Sequence, residues 1–242
     1  MKGSLRVSVL ILLGALVPPG SAHALLLSPM SASLAPSGDG ATRTFELTNQ
    51  FDRTIAVQLS VAERLQSNAG AESFKKSPEI SKKFVLFPAS VSLKPQEKRL
   101  VRLAWRGGPA LDRELNYRLI AEQLPISGEH NPATGETRAS VNLLMKYVAA
   151  VYITPPQAKA NLEVLQVSRS GARMKLRLRN SGQRHQILRR FTLQWDGGAL
   201  PAEQPAELAG QNILAGQERD FEFAWPKLAQ PTAKNYRLVV AP

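Results

Sequence analysis

The chain contains no cysteine and only three histidines among its 242 residues. Without a thiol it can form no disulfide framework, no thiolate zinc site and no cysteine nucleophile. Beyond the amino terminus, no stretch approaches the about 18 apolar residues that a spanning helix needs. His130 and His185 stand among polar residues with no nucleophile elbow, zinc-protease motif or phosphate loop nearby. We therefore predict surface histidines, no metal, no cofactor, no membrane insertion and no enzyme activity.

The first 24 residues show the pattern of a cleavable signal peptide. Lys2 and Arg6 precede the apolar run Val7–Val17, and small residues follow around Ala24. Cleavage would lower the formal net charge from +12 to +10 by removing both basic residues. An exported chain meets little nucleic acid, and its Lys and Arg are scattered among strands. We therefore predict a solvated basic surface or an acidic partner, and no nucleic-acid binding.

Apolar and polar residues alternate along most of the chain, as residues 44–48, 55–61 and 99–105 show. This period of two is typical of strands with one buried face. Turn signals such as Ser37-Gly38-Asp39-Gly40 separate the strands. Many short strands at roughly ten-residue spacing predict an all-β fold of the β-sandwich type.

Two internal similarities indicate that the sandwich occurs twice. Phe45–Asn49 resembles Leu176–Asn180, and Leu93–Leu100 resembles Leu214–Phe221. Each pair combines a turn at a strand end with a strand that begins with polar residues.

The predicted boundary lies where Thr154-Pro155-Pro156 closes the longest apolar segment of the chain. We place the amino-terminal domain at residues 25–153, the linker at 154–156 and the second domain at 157–242. That apolar segment, residues 138–153, alternates over sixteen positions, whereas a typical strand has about five or six residues.

At this point the sequence resembles the PapD-like periplasmic pilus chaperones of the chaperone–usher pathway, and specifically their archaic branch. The resemblance rests on the order of several segments rather than on one motif. These are Leu25–Met30, Leu93-Lys94-Pro95 followed by Leu100–Leu103, Tyr117–Pro125, and the long segment ending at Val151–Pro156.

The resemblance implies two immunoglobulin-like domains set at an angle, located in the periplasm. Such a protein binds, folds and caps a pilin subunit that lacks its last strand, and delivers the subunit to an outer-membrane usher. Donor-strand complementation would use Val141, Leu143 and Met145, which share one face of the long strand. From the pattern alone, the same face could equally pack into the core of its own domain.

The resemblance also implies basic residues that bind the terminal carboxylate of the subunit, because a buried carboxylate needs charge-assisted donors. This sequence departs from the best-known branch, since the two expected basic positions fall on Ser31 and Ala150. The candidates are Lys146 and Arg118, with Arg102 a weaker third, and each could equally be an ordinary solvated or framework charge.

A second departure concerns the contact between the domains. Thr154 stands where the best-known branch has an arginine that pairs with a glutamate matching Glu114. The sequence therefore does not predict that interdomain ion pair.

A rival interpretation is an exported adhesin or carbohydrate-binding module that recognises its ligand through loops. Such a protein should present aromatic residues at loop tips. The three tryptophans, Trp105, Trp195 and Trp225, instead lie within or beside strand patterns, which favours core packing.

Overall fold

A computed structural model describes residues 24–125, 144–199, 205–225 and 235–240. Strands dominate these ranges, and the all-β fold of two immunoglobulin-like sandwiches predicted from the sequence is confirmed. None of the helices in these ranges is long and apolar enough to cross a membrane. The predicted signal peptide falls on residues 1–24, of which only Ala24 is described.

The amino-terminal sandwich consists of two sheets. One sheet has the strand order β1-β3-β8-β6, and the other has the order β2-β10-β9-β4-β5, with β7 also paired to β4. All pairs are antiparallel except β2 with β10, which is parallel. The strands are β1 (Leu25–Ser28), β2 (Ser31–Leu34), β3 (Thr42–Asn49), β4 (Ile55–Gln66), β5 (Glu72–Lys75), β6 (Phe84–Phe87), β7 (Ser90–Leu93), β8 (Lys98–Trp105), β9 (Leu115–Leu124) and β10 (Lys146–Ile153).

Alternation of side chains explains how these sheets pack. In β4, Ile55, Val57, Leu59 and Val61 point inward and are almost fully buried, whereas the residues between them are more polar. Similar inward residues from β3, β8, β9 and β10 complete one core whose members all lie between Leu25 and Ile153. Burial of this apolar area is the main force that holds the two sheets together.

The second sandwich has its own core, whose buried members lie between Met174 and Phe223. Its strands form the sheets β11-β12-β17, β13-β16 and β15-β14-β18. They are β11 (Leu162–Ser170), β12 (Arg173–Asn180), β13 (Gln186–Ile187), β14 (Phe191–Trp195), β15 (Gly198–Ala199), β16 (Asn212–Ile213), β17 (Glu218–Ala224) and β18 (Arg237–Val240). The two cores lie on either side of the predicted linker, and the domain limits themselves stay a prediction.

The internal sequence similarities correspond to one structural device used twice. Asn49 and Asn180 are both fully buried at the ends of their strands. The backbone N–H of Asn49 donates to the carbonyl of Glu97, and that of Asn180 donates to the carbonyl of Gln217. Each side-chain amide also donates to two or three carbonyls of neighbouring turns. The asparagine therefore closes the same corner in both sandwiches.

One short helix, α1 (Pro78–Lys82), interrupts the strand pattern between β5 and β6. Ser77 caps it, because its side-chain oxygen accepts from the backbone N–H of Ile80 at 3.3 Å. Ile80 is the buried residue of the helix and joins the first core. The helix thus packs against β4 and β6 and adds Ile80 to the first core.

Candidate functional site: the arginine cluster between the sandwiches

Four strands of the second sheet place small side chains and one arginine in a single row. Ser31 pairs with Ala150, Ala150 with Arg118, and Arg118 with Ala62. Directly opposed residues of neighbouring strands lie on the same face of a sheet. Ser31 and Ala150 are the positions at which the family resemblance calls for basic residues. Arg118 therefore lies directly beside Ala150 and two strands away from Ser31.

Arg118 shares a carboxylate with a second buried arginine. Its Nη2 donates to Oε2 of Glu72 at 2.9 Å, and Arg64 Nη2 donates to Oε1 of the same carboxylate. Both arginine side chains are nine-tenths or more buried, whereas that of Glu72 is 30% exposed. Glu72 therefore covers the two arginines on their solvent side.

A third arginine reaches this place from the second sandwich. Arg219 of β17 is 4% exposed, and its guanidinium lies over the ring of Phe221, 5.1 Å from the centroid. It donates to the carbonyls of Asn68 and Asn212 at 3.3 and 3.0 Å. Asn68 belongs to the turn between β4 and β5, so that the turn and Arg219 join the two sandwiches.

The charges of this arginine cluster (Arg64, Arg118 and Arg219) are not balanced. Glu72 is the one carboxylate that pairs with it within the described ranges. Burial lowers the pKa of Arg64, and repulsion from Arg118 adds to this. Burial and the charge of Arg64 likewise lower the pKa of Arg219. The cluster therefore carries excess positive charge on largely buried side chains, which favours binding of an anion.

Several donors of the cluster are also unused. Nε and Nη1 of Arg64 and Nη1 of Arg118 are buried without a hydrogen-bond partner. Buried polar groups in proteins nearly always have partners. Two charged side chains thus keep hydrogen-bond donors that no acceptor of the described residues satisfies.

Beside the cluster, a buried carboxylate connects the two sandwiches. The side chain of Glu114 is fully buried and accepts from Thr154 Oγ1 at 2.8 Å. It also accepts from the backbone N–H of His185 at 3.2 Å, and its Oε1 lies 2.6 Å from the ring Nδ1 of His185. The imidazole stacks on the ring of Tyr152 at 3.9 Å. The histidine predicted to lie at the surface is therefore in this junction, and its side chain is only 12% exposed.

The predicted donor residues fall mostly outside the described residues. Val141 and Leu143 lie there, as do residues 138–140 of the predicted sixteen-residue strand. Met145 is half-buried against the core of its own sandwich. Its carbonyl accepts from the backbone N–H of Gln123 at 2.9 Å. β10 itself begins at Lys146.

The other predicted anchor residues do not lie beside Arg118. Lys146 is exposed and pairs with Glu122, whereas Arg118 pairs with Ala150. This register separates Lys146 from Arg118 by four positions along the strand pair, about 13 Å. Arg102 lies on the exposed face of the other sheet. The structure thus brings Arg118 together with Arg64 and Arg219, and not with the two other candidates.

Arg64, Glu72 and Arg219 are not among the site residues predicted from the sequence. Arg64 lies near the end of β4, beyond the alternating segment 55–61, and looks like any polar strand residue. Glu72 lies in a polar stretch. One signal was present in the sequence: Arg118 interrupts the run 117–121, whose other members are apolar or aromatic, and a charge is rarely buried there unless it is paired.

Comparison with known proteins identifies the class of this two-sandwich protein. The profile of the pili and flagellar-assembly chaperones, PapD N-terminal domain, matches residues 30–159. Because this is more than half of the chain, the chain belongs to that family, and the resemblance inferred from the sequence is confirmed. Members of the family are periplasmic chaperones. A search of curated protein sequences gives no significant match.

Solved structures show the same fold at low sequence identity. The complex of the chaperone CsuC with the tip adhesion subunit CsuE, from the archaic Csu pili of Acinetobacter baumannii, matches with a TM-score of 0.61 at 15% identity, covering 89% of this chain and 97% of the other. The class 5 fimbriae chaperone CfaA matches with 0.56 at 15% identity, covering 90% and 100%. The Salmonella enterica SafA pilin–SafB chaperone complex matches with 0.52 at 14% identity, covering 90% and 97%.

Proposed function

We propose that this protein is an exported periplasmic chaperone that binds one pilin-type subunit by donor-strand complementation and delivers it to an outer-membrane usher. The observation that carries the proposal is the free edge of β10. β9 pairs with all of β10, but β2 pairs only with Ala150–Ile153. In the part of the chain that the structure describes, no strand covers the other edge of residues 146–149.

A partner strand can therefore be added along this edge by β-augmentation. A strand parallel to β10 would have its carboxyl end at Ala150, because Ser31 of β2 occupies the edge from there onward. That end would lie in the row of Arg118. We therefore propose that the arginine cluster binds the terminal carboxylate of the subunit, with Arg64 and Arg219 assisting Arg118.

Donor-strand complementation can be tested by placing a charge among the proposed donor residues. We expect Leu143→Asp or Met145→Asp to leave the protein soluble but to prevent co-purification of a co-expressed pilin subunit, since a buried unpaired carboxylate disrupts the groove. Leu144→Asp is the matched control, because Leu144 is exposed beside them.

If Leu143→Asp and Met145→Asp still gave stoichiometric complexes, donation by these residues would be wrong. If instead both variants unfolded by themselves in a thermal melt, the face would belong to the core of its own sandwich. The free edge would then bind its partner through the backbone alone.

The carboxylate site has its own test. We expect Arg118→Ala to weaken subunit binding by a few kcal/mol, since it leaves a desolvated carboxylate short of a donor. Lys146→Ala, which removes an exposed charge of the same strand pair, is the control, and we expect a smaller effect. If both substitutions weakened subunit binding equally, or if neither weakened it, the residues that bind the carboxylate would lie elsewhere.

Delivery to an usher needs a surface that stays accessible while β10 is occupied. The outer face of the first sheet supports this, because Phe87, Leu100 and Val85 are 73%, 63% and 46% exposed there. Arg102 pairs with Phe87 on that face. We expect Phe87→Ser to keep the subunit complex intact and to abolish its binding to the usher. Unchanged usher binding in a pull-down would contradict this assignment.

A further inference from the structure

We propose that Glu72 is a placeholder: in the free protein its carboxylate occupies the arginine cluster, and an incoming terminal carboxylate has to displace it. This inference rests on the proposed carboxylate site. Glu72 would be an internal competitor at that site, and it would set the affinity that an incoming carboxylate needs in order to bind.

The position of Glu72 suits a displaceable group. β5 is the last strand of its sheet and pairs only with β4, over four residue pairs. All four residues of β5 are exposed. Glu72 thus projects its carboxylate from an edge strand onto two buried arginines. The side chain of Glu72 is more exposed than that of either arginine that it neutralises.

The hydrogen bonds show that Glu72 fills the cluster incompletely. Its two oxygens contact one nitrogen of Arg64 and one of Arg118. Neither contact is the two-nitrogen fork by which an arginine binds a carboxylate most strongly. Three buried donors on these arginines stay unpaired. A carboxylate that displaces Glu72 could pair with these donors as well as with the two nitrogens that Glu72 occupies.

The turn that carries Glu72 is held from the second sandwich. The carbonyl of Asn68 accepts from the backbone N–H of Asp220 at 2.8 Å and from Arg219. A Cβ at Gly70 would lie 2.3 Å from Nη2 of Arg219, and Gly70 has a φ of +94°. Only glycine allows this approach without strain. The backbone of the turn is thus fixed, and release of Glu72 requires movement of its side chain and not of the turn.

The test measures carboxylate binding without a subunit. The probe is acetyl-tetraalanine with a free carboxyl terminus, titrated into the full-length protein while the arginine Nε–Hε signals are followed by NMR. The amidated peptide shows what the peptide backbone alone contributes. We expect Glu72→Gln to bind the free-carboxylate peptide at least about tenfold more tightly than the wild type, because one competing charge-assisted contact is gone. Binding of the amidated peptide should not change.

Glu222→Gln is the matched control, because it removes a carboxylate from the exposed ion pair with Arg173 in the second sandwich. Glu72→Asp keeps the charge but is one methylene shorter, so we expect intermediate affinity. An affinity for Glu72→Gln equal to or below that of the wild type would overturn the proposal and make Glu72 a permanent counter-ion.

Arg118→Ala separates this outcome from failure of the site itself. If Arg118→Ala abolishes peptide binding while Glu72→Gln changes nothing, the carboxylate site stands and the placeholder does not. If neither the wild type nor Glu72→Gln binds the free carboxylate, both fail together.

Discussion

Replacing Glu114 by alanine should lower the free energy of unfolding by about 3–5 kcal/mol, because each buried polar group that loses its partner costs about 1–3 kcal/mol. Three donors lose their acceptor: the hydroxyl of Thr154 and the backbone and ring N–H groups of His185. Water cannot easily take the place of the carboxylate, since the side chain of Glu114 is fully buried. Glu114→Gln keeps an acceptor of the same shape, so we expect a loss of only about half as much.

The measurement is urea unfolding followed by both tryptophan fluorescence and circular dichroism, because a two-domain chain need not unfold in one step. A double-mutant cycle with Thr154→Val isolates one contact, and we expect a coupling of about 1.5–3 kcal/mol, typical of a hydrogen bond to a charged group. Glu222→Ala, in an exposed ion pair, should cost less than about 1 kcal/mol. If Glu114→Ala changed stability no more than Glu222→Ala, the junction would not hold the sandwiches together.

Three further outcomes are expected. Burial and the charge of Glu63 raise the pKa of Tyr117 to about 12, so the folded state keeps the proton that the unfolded state releases above pH about 10. The free energy of unfolding should therefore fall by up to about 1.4 kcal/mol per pH unit between these values. Tyr117→Phe should lack this loss in thermal melts from pH 9 to 11.5. If the variant and the wild type had the same pH profile, Tyr117 would not be the group that titrates. Asn49→Ala should lower the free energy of unfolding in urea by about 2–4 kcal/mol, since three backbone carbonyls lose their donor. Asn180→Ala should cost a similar amount. A loss below about 1 kcal/mol would show that water takes over the hydrogen bonds of the asparagine. Higher ionic strength should slow subunit association more than it speeds dissociation, if basic charge steers the encounter, and equal association rates in stopped-flow at low and high salt would remove that role.

Strand positions were predictable from the sequence because half-buried strands impose a period of two. The predicted segments 44–48, 55–61 and 99–105 all lie within observed strands. The duplication was predictable as well, because each corner needs the same asparagine and the same turn. The tryptophans follow the prediction too, since Trp105 and Trp195 are buried and Trp225 packs against the second core.

The site was only partly predictable, because it is built from residues that are far apart along the chain. Arg64, Glu72 and Arg219 lie on three strands, one of them in the other sandwich, and no local pattern relates them. The pairing of Glu114 with His185 was missed for the same reason. A histidine between two polar residues is typical of a surface position. Only the contacts with Glu114 and Tyr152 of the other sandwich show that the side chain of His185 is covered.

The register also ties the proposed donor edge to the arrangement of the two sandwiches. Tyr152 of β10 accepts from Nδ2 of Asn212 at 2.8 Å, and the carbonyl of Asn212 accepts from Arg219 at 3.0 Å. Asn212 therefore connects the strand that carries the free edge with the arginine that the second sandwich contributes. Because Tyr152 also stacks on His185, a rotation of one sandwich against the other would move Arg219 relative to Ala150. In the proposed function, the second sandwich would thus hold the third arginine close to the place where the partner strand would end.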